Sequence, residues 1–255
     1  MAEIEEIASA QSSSMGQWTE RTELLLGTEA LQRLESAHVL VVGVGGVGGY
    51  ASEMLARAGV GKLTLVDADT VALSNLNRQL PALRETLNKK KVEIMGARLR
   101  AINPTIELET HAAFLTPETV PTLLHETTFD FVVDAIDTIA PKCALIMECL
   151  HSGIKIISSM GAGAKRDVTK IQYADLWDTY HCGLSKAVRN QLKRNGVHRH
   201  LPVVFSTEAA DATAVMLVEE KYKKSTCGTI SYMPAVFGCY LAAYVLNKLA
   251  GKKEV

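Results

Sequence analysis

The chain predicts an α/β fold, a doubly wound and mostly parallel sheet with antiparallel additions toward its C-terminus. Three observations predict it. Short apolar runs alternate with helix-period stretches from residue 38 to 160. The first run ends in a glycine cluster, Gly43 to Gly49, that opens a helix. The run FDFVVDA at 129–135 is continuous enough to be buried on both faces, as inner strands of a parallel sheet are.

Taken in order, residues 1–17 read as a polar lead-in with a short helix at 3–9. Trp18 to Leu34 reads as helix broken at Gly27-Thr28, with Leu24, Leu25, Leu31 and Leu34 on a buried side and Thr28 as an N-cap. Strand one is His38–Val42. The next helix runs from about Val47 to Ala58, with Ala51, Met54, Leu55 and Ala58 as its apolar face, and Gly59-Val-Gly61 stops it. Strand two is Lys62–Val66, and residues 69–88 form a long connection. Lys91–Ile102 is helical, and Asn103-Pro104 ends it. Strand three is expected at Thr105–His111, a helix at Pro117–His125, strand four at Phe129–Ala135, a helix at Pro141–Ser152 and strand five at Lys155–Ser159.

Beyond residue 160 the pattern changes. Val168–Tyr173 and Val203–Thr207 read as antiparallel strands flanking a basic helix at Leu184–Asn195. A last helix spans 233–250; its apolar stretch contains Pro234 and Asn247 and reads as buried rather than membrane-spanning. Residues 18–255 are expected to form one domain, with a nucleotide-binding part at about 36–160 and a substrate part at about 161–255.

The bulk numbers exclude some classes. The 255 residues are 47% hydrophobic and 22% charged, which suits a globular domain. With 27 Lys+Arg against 28 Asp+Glu, net charge gives no steer toward nucleic acid, so any such contact needs a local basic patch. The 5 cysteines include no C-x-x-C pair, which argues against a cysteine-rich zinc site and a disulfide framework. With no signal-like N-terminus, the expected location is cytoplasmic.

Gly43, Gly45 and Gly48 form G-x-G-x-x-G between a strand and a helix, the phosphate cradle of a Rossmann-like sheet. Asp67, at the end of strand two, is placed to accept from ribose hydroxyls. These residues alone also fit a dinucleotide oxidoreductase. The long polar connection that follows ends in Asn75, Arg78 and Gln79, and Lys91 opens the next helix. Two cations beside the ribose carboxylate suit a triphosphate, because attack at its α-phosphate builds charge on departing pyrophosphate. Asp137, after strand four, is placed to hold a magnesium ion bridging phosphates.

The combination G-x-G-G-x-G, D-x-D, S-N-L-N-R-Q, a helix-opening lysine and D-A-I-D resembles the ubiquitin-activating-enzyme-like (ThiF-MoeB-HesA) adenylyltransferases across about residues 18–250. The resemblance implies a ThiF-type domain in which a carboxylate attacks ATP to give an acyl-adenylate and pyrophosphate. It implies that Gly46 and its neighbours line the phosphate turn and that Asp67 binds ribose. Asn75, Arg78, Gln79 and Lys91 would contact phosphates, Arg78 and Lys91 stabilising transition-state charge, and Asp137 would bind Mg2+. Arg21 would reach the partner's ATP in a homodimer. R-T-E-L-L-L-G-T-E-A-L from Arg21, N-R-Q-L-P-A-L-R at 77–84, A-I-D-T-I-A-P-K at 135–142 and V-F-S-T-E at 204–208 resemble family members acting on threonylcarbamoyladenosine beside the tRNA anticodon. Those members activate its carboxylate and close it into a ring with loss of water. Other members adenylate the C-terminal glycine of a ubiquitin-like sulfur carrier, and a sulfur-transfer protein is a further candidate partner.

The local basicity needed for tRNA lies late in the chain. Lys186, Arg189, Lys193, Arg194 and Arg199 cluster with His198 and His200, and Lys186, Arg189 and Lys193 are expected on the outer face of the helix. Lys221, Lys223 and Lys224 form a second cluster. Among the cysteines, Cys182 alone sits in a segment, DTYHCG, where a covalent acyl role merits testing; a structural role is the simpler expectation.

Overall fold

The computed structural model describes residues 18–220 and 223–251. The lead-in at 1–17 and Lys221 lie outside the described residues.

The first helices are α1 (Glu20–Leu26) and α2 (Thr28–Ser36), separated at Gly27, whose φ of +90° favours glycine. Leu31 and Leu34 are buried as expected, but Leu24 and Leu25 are 63% and 80% exposed. Thr28 is the first residue of α2 rather than its cap, and its hydroxyl donates to Glu23.

The nucleotide-type half follows the expected order: β1 (His38–Val42), α3 (Gly48–Arg57), β2 (Lys62–Val66), α4 (Lys91–Ile102), β3 (Glu107–His111), α5 (Val120–Glu126), β4 (Phe131–Asp134), α6 (Ile139–Ser152) and β5 (Ile156–Ser159). Every residue of β1, β4 and β5 is buried, so these strands do not alternate; they are apolar except for His38 at the start of β1, Asp134 at the end of β4 and Ser158-Ser159 at the end of β5.

The C-terminal half adds β6 (Ile171–Asp175), α7 (Gly183–Arg194), β7 (Pro202–Ser206), β8 (Val215–Glu220), β9 (Lys223–Cys227) and α8 (Tyr232–Leu249). The main sheet has 7 strands in the order β3-β2-β1-β4-β5-β7-β6. β6 pairs antiparallel to β7, as expected of an addition, but β7 joins β5 in parallel and extends the main sheet. The β8–β9 hairpin, which carries Lys223 and Lys224, is a separate two-stranded sheet that the sequence pattern did not suggest.

Two apolar layers hold the sheet. One packs α3, α4 and α8 on one face, through Leu55, Met95, Leu99, Phe237 and Leu241; the other packs α5, α6 and α7 on the opposite face, through Leu124, Leu145, Ile146, Val188 and Leu192. Each such side chain, fully buried, contributes roughly 1.5–3 kcal/mol. The last helix is buried against α3, where a Cβ at Gly238 would lie 2.4 Å from the Val47 carbonyl oxygen. Among the described residues no helix is long and apolar enough to cross a membrane.

Strand order reverses between β1 and β4, since β2 and β3 continue one way from β1 and β4, β5 and β7 the other. Such a switch opens a crevice at the carboxyl ends of the strands. The glycine turn and the Asp134–Asp137 turn meet there.

Candidate active site

The glycine turn is built by two requirements of different kind. Gly43 has φ +86°, and a Cβ on it would stand 2.8 Å from the Ala135 carbonyl oxygen after β4; a Cβ on Gly48 would stand 1.7 Å from the Gly43 carbonyl oxygen. The protein's own backbone forbids a side chain at both. At Gly45 a Cβ would meet only the Gln79 side chain, at 3.5 Å, so bareness there is not demanded by packing. The motif suggests that Gly46 is bare for the phosphates alone, yet a Cβ there would press on the Pro234 ring at 3.2 Å. Enlarging Gly46 therefore disturbs the packing of α8 as well, and Gly45 is the cleaner probe. α3 starts after Val47 with no side-chain cap; the Gly49 N–H donates to Gly45 O at 3.1 Å, and the other N–H groups of a helix start are suited to an anion.

Asp67 continues β2 into this crevice. Its two carboxylate oxygens accept the N–H groups of Val44 and Asp69, each at 2.8 Å, which ties the glycine turn to the end of β2. Burial pushes its carboxyl above the usual carboxylate range, partly offset by the nearby Lys91 charge and these two hydrogen bonds.

The connection from 69 to 91 folds back on itself. Val71 N–H donates to Lys89 O, and Lys91 N–H donates to Asp69 O. This pairing delivers Lys91 into the protein: it is 4% exposed, while Lys89 is exposed and Lys90 half-buried. Lys91 Nζ contacts Asp69 Oδ2 at 2.7 Å, and the Asp69 side chain is 69% exposed. The buried ammonium thus has a partner that solvent, or a ligand, can reach. Asn75 is buried, and its Oδ1 accepts the Ala72 N–H at 3.0 Å, closing the turn before Arg78. Arg78 donates through Nη1 to Ser74 O and Asn77 Oδ1, both at 2.9 Å. The Gln79 carboxamide lies beside Gly45, and its Oε1 is buried with no partner among the described residues. An unsatisfied buried amide next to a bare glycine is what a polar ligand would complete.

Asp134 and Asp137 part company. Asp134 is fully buried, pairs with the fully buried Lys142 at 2.8 Å, and accepts the Ser158 hydroxyl at 2.5 Å and the Ile136 N–H at 3.0 Å. Lys142 also donates to Ile136 O at 3.0 Å, so the pair grips both polar groups of Ile136 and sets the turn against Gly43. Asp137, next along, is exposed. No group of three or more His, Cys, Asp or Glu among the described residues could hold a metal by itself. A magnesium ion here would rest on one carboxylate plus ligand phosphates, which is a common arrangement for that ion.

The crevice therefore brings together Gly43, Gly45, Gly46, Gly48, Asp67, Asn75, Arg78, Gln79, Lys91 and Asp137. It does not receive Arg21. That residue is exposed on α1, whose preceding Thr19 packs near Gly59 at the far end of α3.

The basic helix departs from expectation at one position. Lys186 and Lys193 are exposed, but Arg189 turns inward. Its Nη1 donates to Leu176 O at 3.1 Å and to Thr179 O at 2.8 Å, and it also contacts the Thr179 hydroxyl. The reason is the turn after β6, where the Leu176 and Thr179 carbonyls converge on one point that a guanidinium can reach. α7 starts near Gly161, at the carboxyl edge, and runs toward the amino edge, so Lys186 is nearer the crevice than Lys193. Lys193 instead sits 5.8 Å over the Trp177 ring, which stacks with His198. Cys182 is buried and caps α7, its sulfur accepting the Ser185 N–H at 3.5 Å, in keeping with a structural role. All five cysteines are free.

Sequence reasoning missed Lys142, Lys165 and Glu208. The first belonged to the A-P-K run and the last to V-F-S-T-E, both read as motifs without roles; nothing in the pattern pointed to Lys165.

A fold with a phosphate cradle at the β1/β4 switch and two cations behind it defines a nucleotide-binding adenylyltransferase-type domain. The chain belongs to the ThiF family, whose model matches residues 20–255. It is 39% identical over 243 residues to tRNA threonylcarbamoyladenosine dehydratase of Bacillus subtilis, covering 92% of this chain and 95% of that one. It is also similar to the crystal structure of the Escherichia coli enzyme of that name, TcdA, in complex with ATP, with TM-score 0.83 and 36% identity over 92% of this chain and 94% of that one. A molybdopterin-synthase adenylyltransferase of Haemophilus influenzae is 36% identical over 200 residues, covering 78% of this chain and 81% of that one.

Proposed function

We propose that the chain is an ATP-dependent enzyme that activates the carboxylate of threonylcarbamoyladenosine in tRNA and closes it to the cyclic form, a tRNA threonylcarbamoyladenosine dehydratase. The observation that carries this is similarity along nearly the full length to dehydratases of that name, one of them ATP-bound, with every expected ATP-site residue type present at the switch crevice except Arg21.

The carboxylate attacks the α-phosphate, pyrophosphate leaves, and an acyl-adenylate forms. An atom of the carbamoyl group then attacks the acyl carbon, AMP departs with the former carboxylate oxygen, and the net change is loss of one water. The glycine turn and the start of α3 hold the phosphates, and Asp67 takes the ribose hydroxyls. Lys91 and Arg78 face the charge that grows on the departing pyrophosphate. Bound at Asp137, Mg2+ would supply further charge neutralisation. The tRNA lies along α7, over Lys186 and Lys193 with Arg194 and Arg199; Arg189 is withdrawn from this role because its guanidinium is engaged inside the protein.

Exposure of Leu24 and Leu25 beside Arg21 supports a second copy covering α1 and placing Arg21 near its partner's ATP. Light scattering of the purified protein reads the dimer, and exclusively monomeric protein sinks this part of the reading.

Protein incubated with ATP, magnesium and tRNA bearing the modification is expected to remove one water from the nucleoside, read by mass spectrometry. A second reading, adenylation of a sulfur-carrier C-terminus, is favoured by the 36% identity to the molybdopterin-synthase adenylyltransferase. Pyrophosphate release only with a ubiquitin-like protein, and no change in the nucleoside, would establish that reading over the first.

A further inference from the structure

Lys165 is 3% exposed, and no carboxylate lies within ion-pair distance of it among the described residues. Its Nζ donates to Ser206 O at 2.7 Å and Glu208 O at 2.8 Å, the last residues of V-F-S-T-E. The Glu208 carboxylate turns back and accepts the N–H groups of Arg166 and Asp167, each at 2.9 Å. The link is therefore reciprocal. Burial holds the Lys165 amine below the ordinary lysine range, as expected for a cation kept from water.

Three segments meet around residues 164–165, all at the carboxyl edge. Ala164, at φ +58°, donates its N–H to Gly228 O at 2.8 Å and accepts from Asp211 N–H at 2.9 Å. The loop after β5, the loop after β7 and the segment before α8 are thus one assembly. It also touches the ATP segment, because Asn77 donates to Thr229 O at 2.9 Å and Arg78 donates to Asn77 Oδ1. The β2 side of the crevice is filled by Asp67 and the 69–91 connection. On the adenylation reading above, the β5–β7 side, walled by the Lys165 assembly, is the side left for the acyl substrate.

We propose that Lys165 is a positioning residue for the second half-reaction: it fixes the Ser206–Glu208 segment as the wall against which the acyl-adenylate meets its internal nucleophile, and takes no part in activating ATP. This rests on the adenylation-and-cyclisation reading above. The two halves separate cleanly. Pyrophosphate exchange into ATP reports formation and reversal of the adenylate, while cyclised nucleoside reports ring closure and departure of AMP.

The test uses Lys165→Met, which removes both hydrogen bonds at similar bulk, and Lys165→Gln, which offers two N–H donors without the charge. Both are assayed with tRNA bearing the modification, alongside thermal melting. Lys165→Met is expected to keep exchange within about threefold of wild type and to slow cyclisation about tenfold or more; Lys165→Gln recovers most of that loss. Cyclisation at the wild-type rate in Lys165→Met overturns the inference, as does a parallel fall in exchange and cyclisation. If Lys165→Met melts below the assay temperature, Glu208→Gln loosens the same segment from its other side and is read by the same split. Wild-type protein that makes no cyclised nucleoside overturns the parent reading and this inference with it. Wild-type protein that cyclises while Lys165→Met matches it overturns the inference alone.

Discussion

Two sides of the same crevice each bury a lysine, and they do so in opposite ways. On the β2–β1–β4 side, Lys91 faces Asp69, whose side chain is 69% exposed, and Gln79 keeps an unsatisfied oxygen nearby. On the β5–β7 side, Lys165 is held by two backbone carbonyls, and across α7 Arg189 is held in the same manner. Between the two sides, Lys142 pairs with Asp134, both fully buried. Burial of a cation is therefore a poor marker of a ligand site. On the proposed ATP side the buried cation has a partner that can be exchanged for phosphate; on the other side its partners are the fold itself.

The glycine turn gives the sharpest break between folding and binding. Gly48→Ala places a Cβ 1.7 Å from the Gly43 carbonyl oxygen, so a loss of more than about 4 kcal/mol, or no folded protein, is expected in chemical denaturation. Gly45→Ala should melt like wild type and raise the KM for ATP about tenfold, because only a ligand needs that space. Equal melting of the two variants would contradict the geometry.

The lysines come next. Lys142→Met leaves Asp134 buried and unpaired and should cost about 3–5 kcal/mol. Lys91→Met leaves a solvated Asp69 and should cost under about 1 kcal/mol of stability. The order reverses for chemistry: Lys91→Ala and Arg78→Ala are expected to reduce pyrophosphate exchange about 100-fold or more while remaining folded. Should Lys91→Ala retain exchange within a few-fold, the assignment of the ATP side fails.

On α7, Arg189→Met is expected to lose about 1.5–3 kcal/mol of stability, because the hydrogen bonds from a charged guanidinium to the Leu176 and Thr179 carbonyls are lost. The Lys186→Glu, Lys193→Glu pair should melt normally. Its tRNA affinity should fall, and its salt dependence should flatten by about 2 in log–log slope, one for each phosphate no longer neutralised by a lysine. A fully retained slope would remove α7 from the tRNA surface.

The smallest effect lies at the opposite edge, where no ligand is expected. His38 is buried, with Nδ1 3.1 Å from Thr128 O and Nε2 2.8 Å from Thr64 Oγ1, and burial lowers its pKa. A carbonyl on one side fixes the neutral ring with its proton on Nδ1. The unfolded chain takes up a proton near the ordinary value of about 6.5, and the folded one only below it, so stability is present above that value and is lost as pH falls toward the folded pKa. The loss is at most about 1.4 kcal/mol per pH unit. Melting temperature between pH 7.5 and 5.5 should fall less in His38→Gln than in wild type, and identical slopes would refute the assignment.

Much of this was legible in the residues. β1, β2 and α4 have the expected bounds, His38–Val42, Lys62–Val66 and Lys91–Ile102, because apolar runs and glycine stops are local signals. Lys91 was separable from Lys89 and Lys90 for the same reason: it opens a helix. Less legible was anything whose partner lies far along the chain. Arg189 has the spacing of an outward residue, but carbonyls near Thr179 draw it in. Leu24 and Leu25 have the look of core residues, yet α1 has no buried residue among its own. β7 has the local pattern of an antiparallel addition, and nothing within it distinguishes that role from a strand pairing in parallel with β5.

By itself, then, the sequence determined the sheet's inner strands, the glycine turn and the residue types gathered at the switch crevice, since each is set by neighbours within a few positions. Tertiary structure alone decided which cations are free to act. Lys91, Lys142, Lys165 and Arg189 each carry one positive charge drawn into the protein, and what separates them is what the fold brings opposite: an exposed carboxylate, a buried one, or backbone carbonyls from another segment.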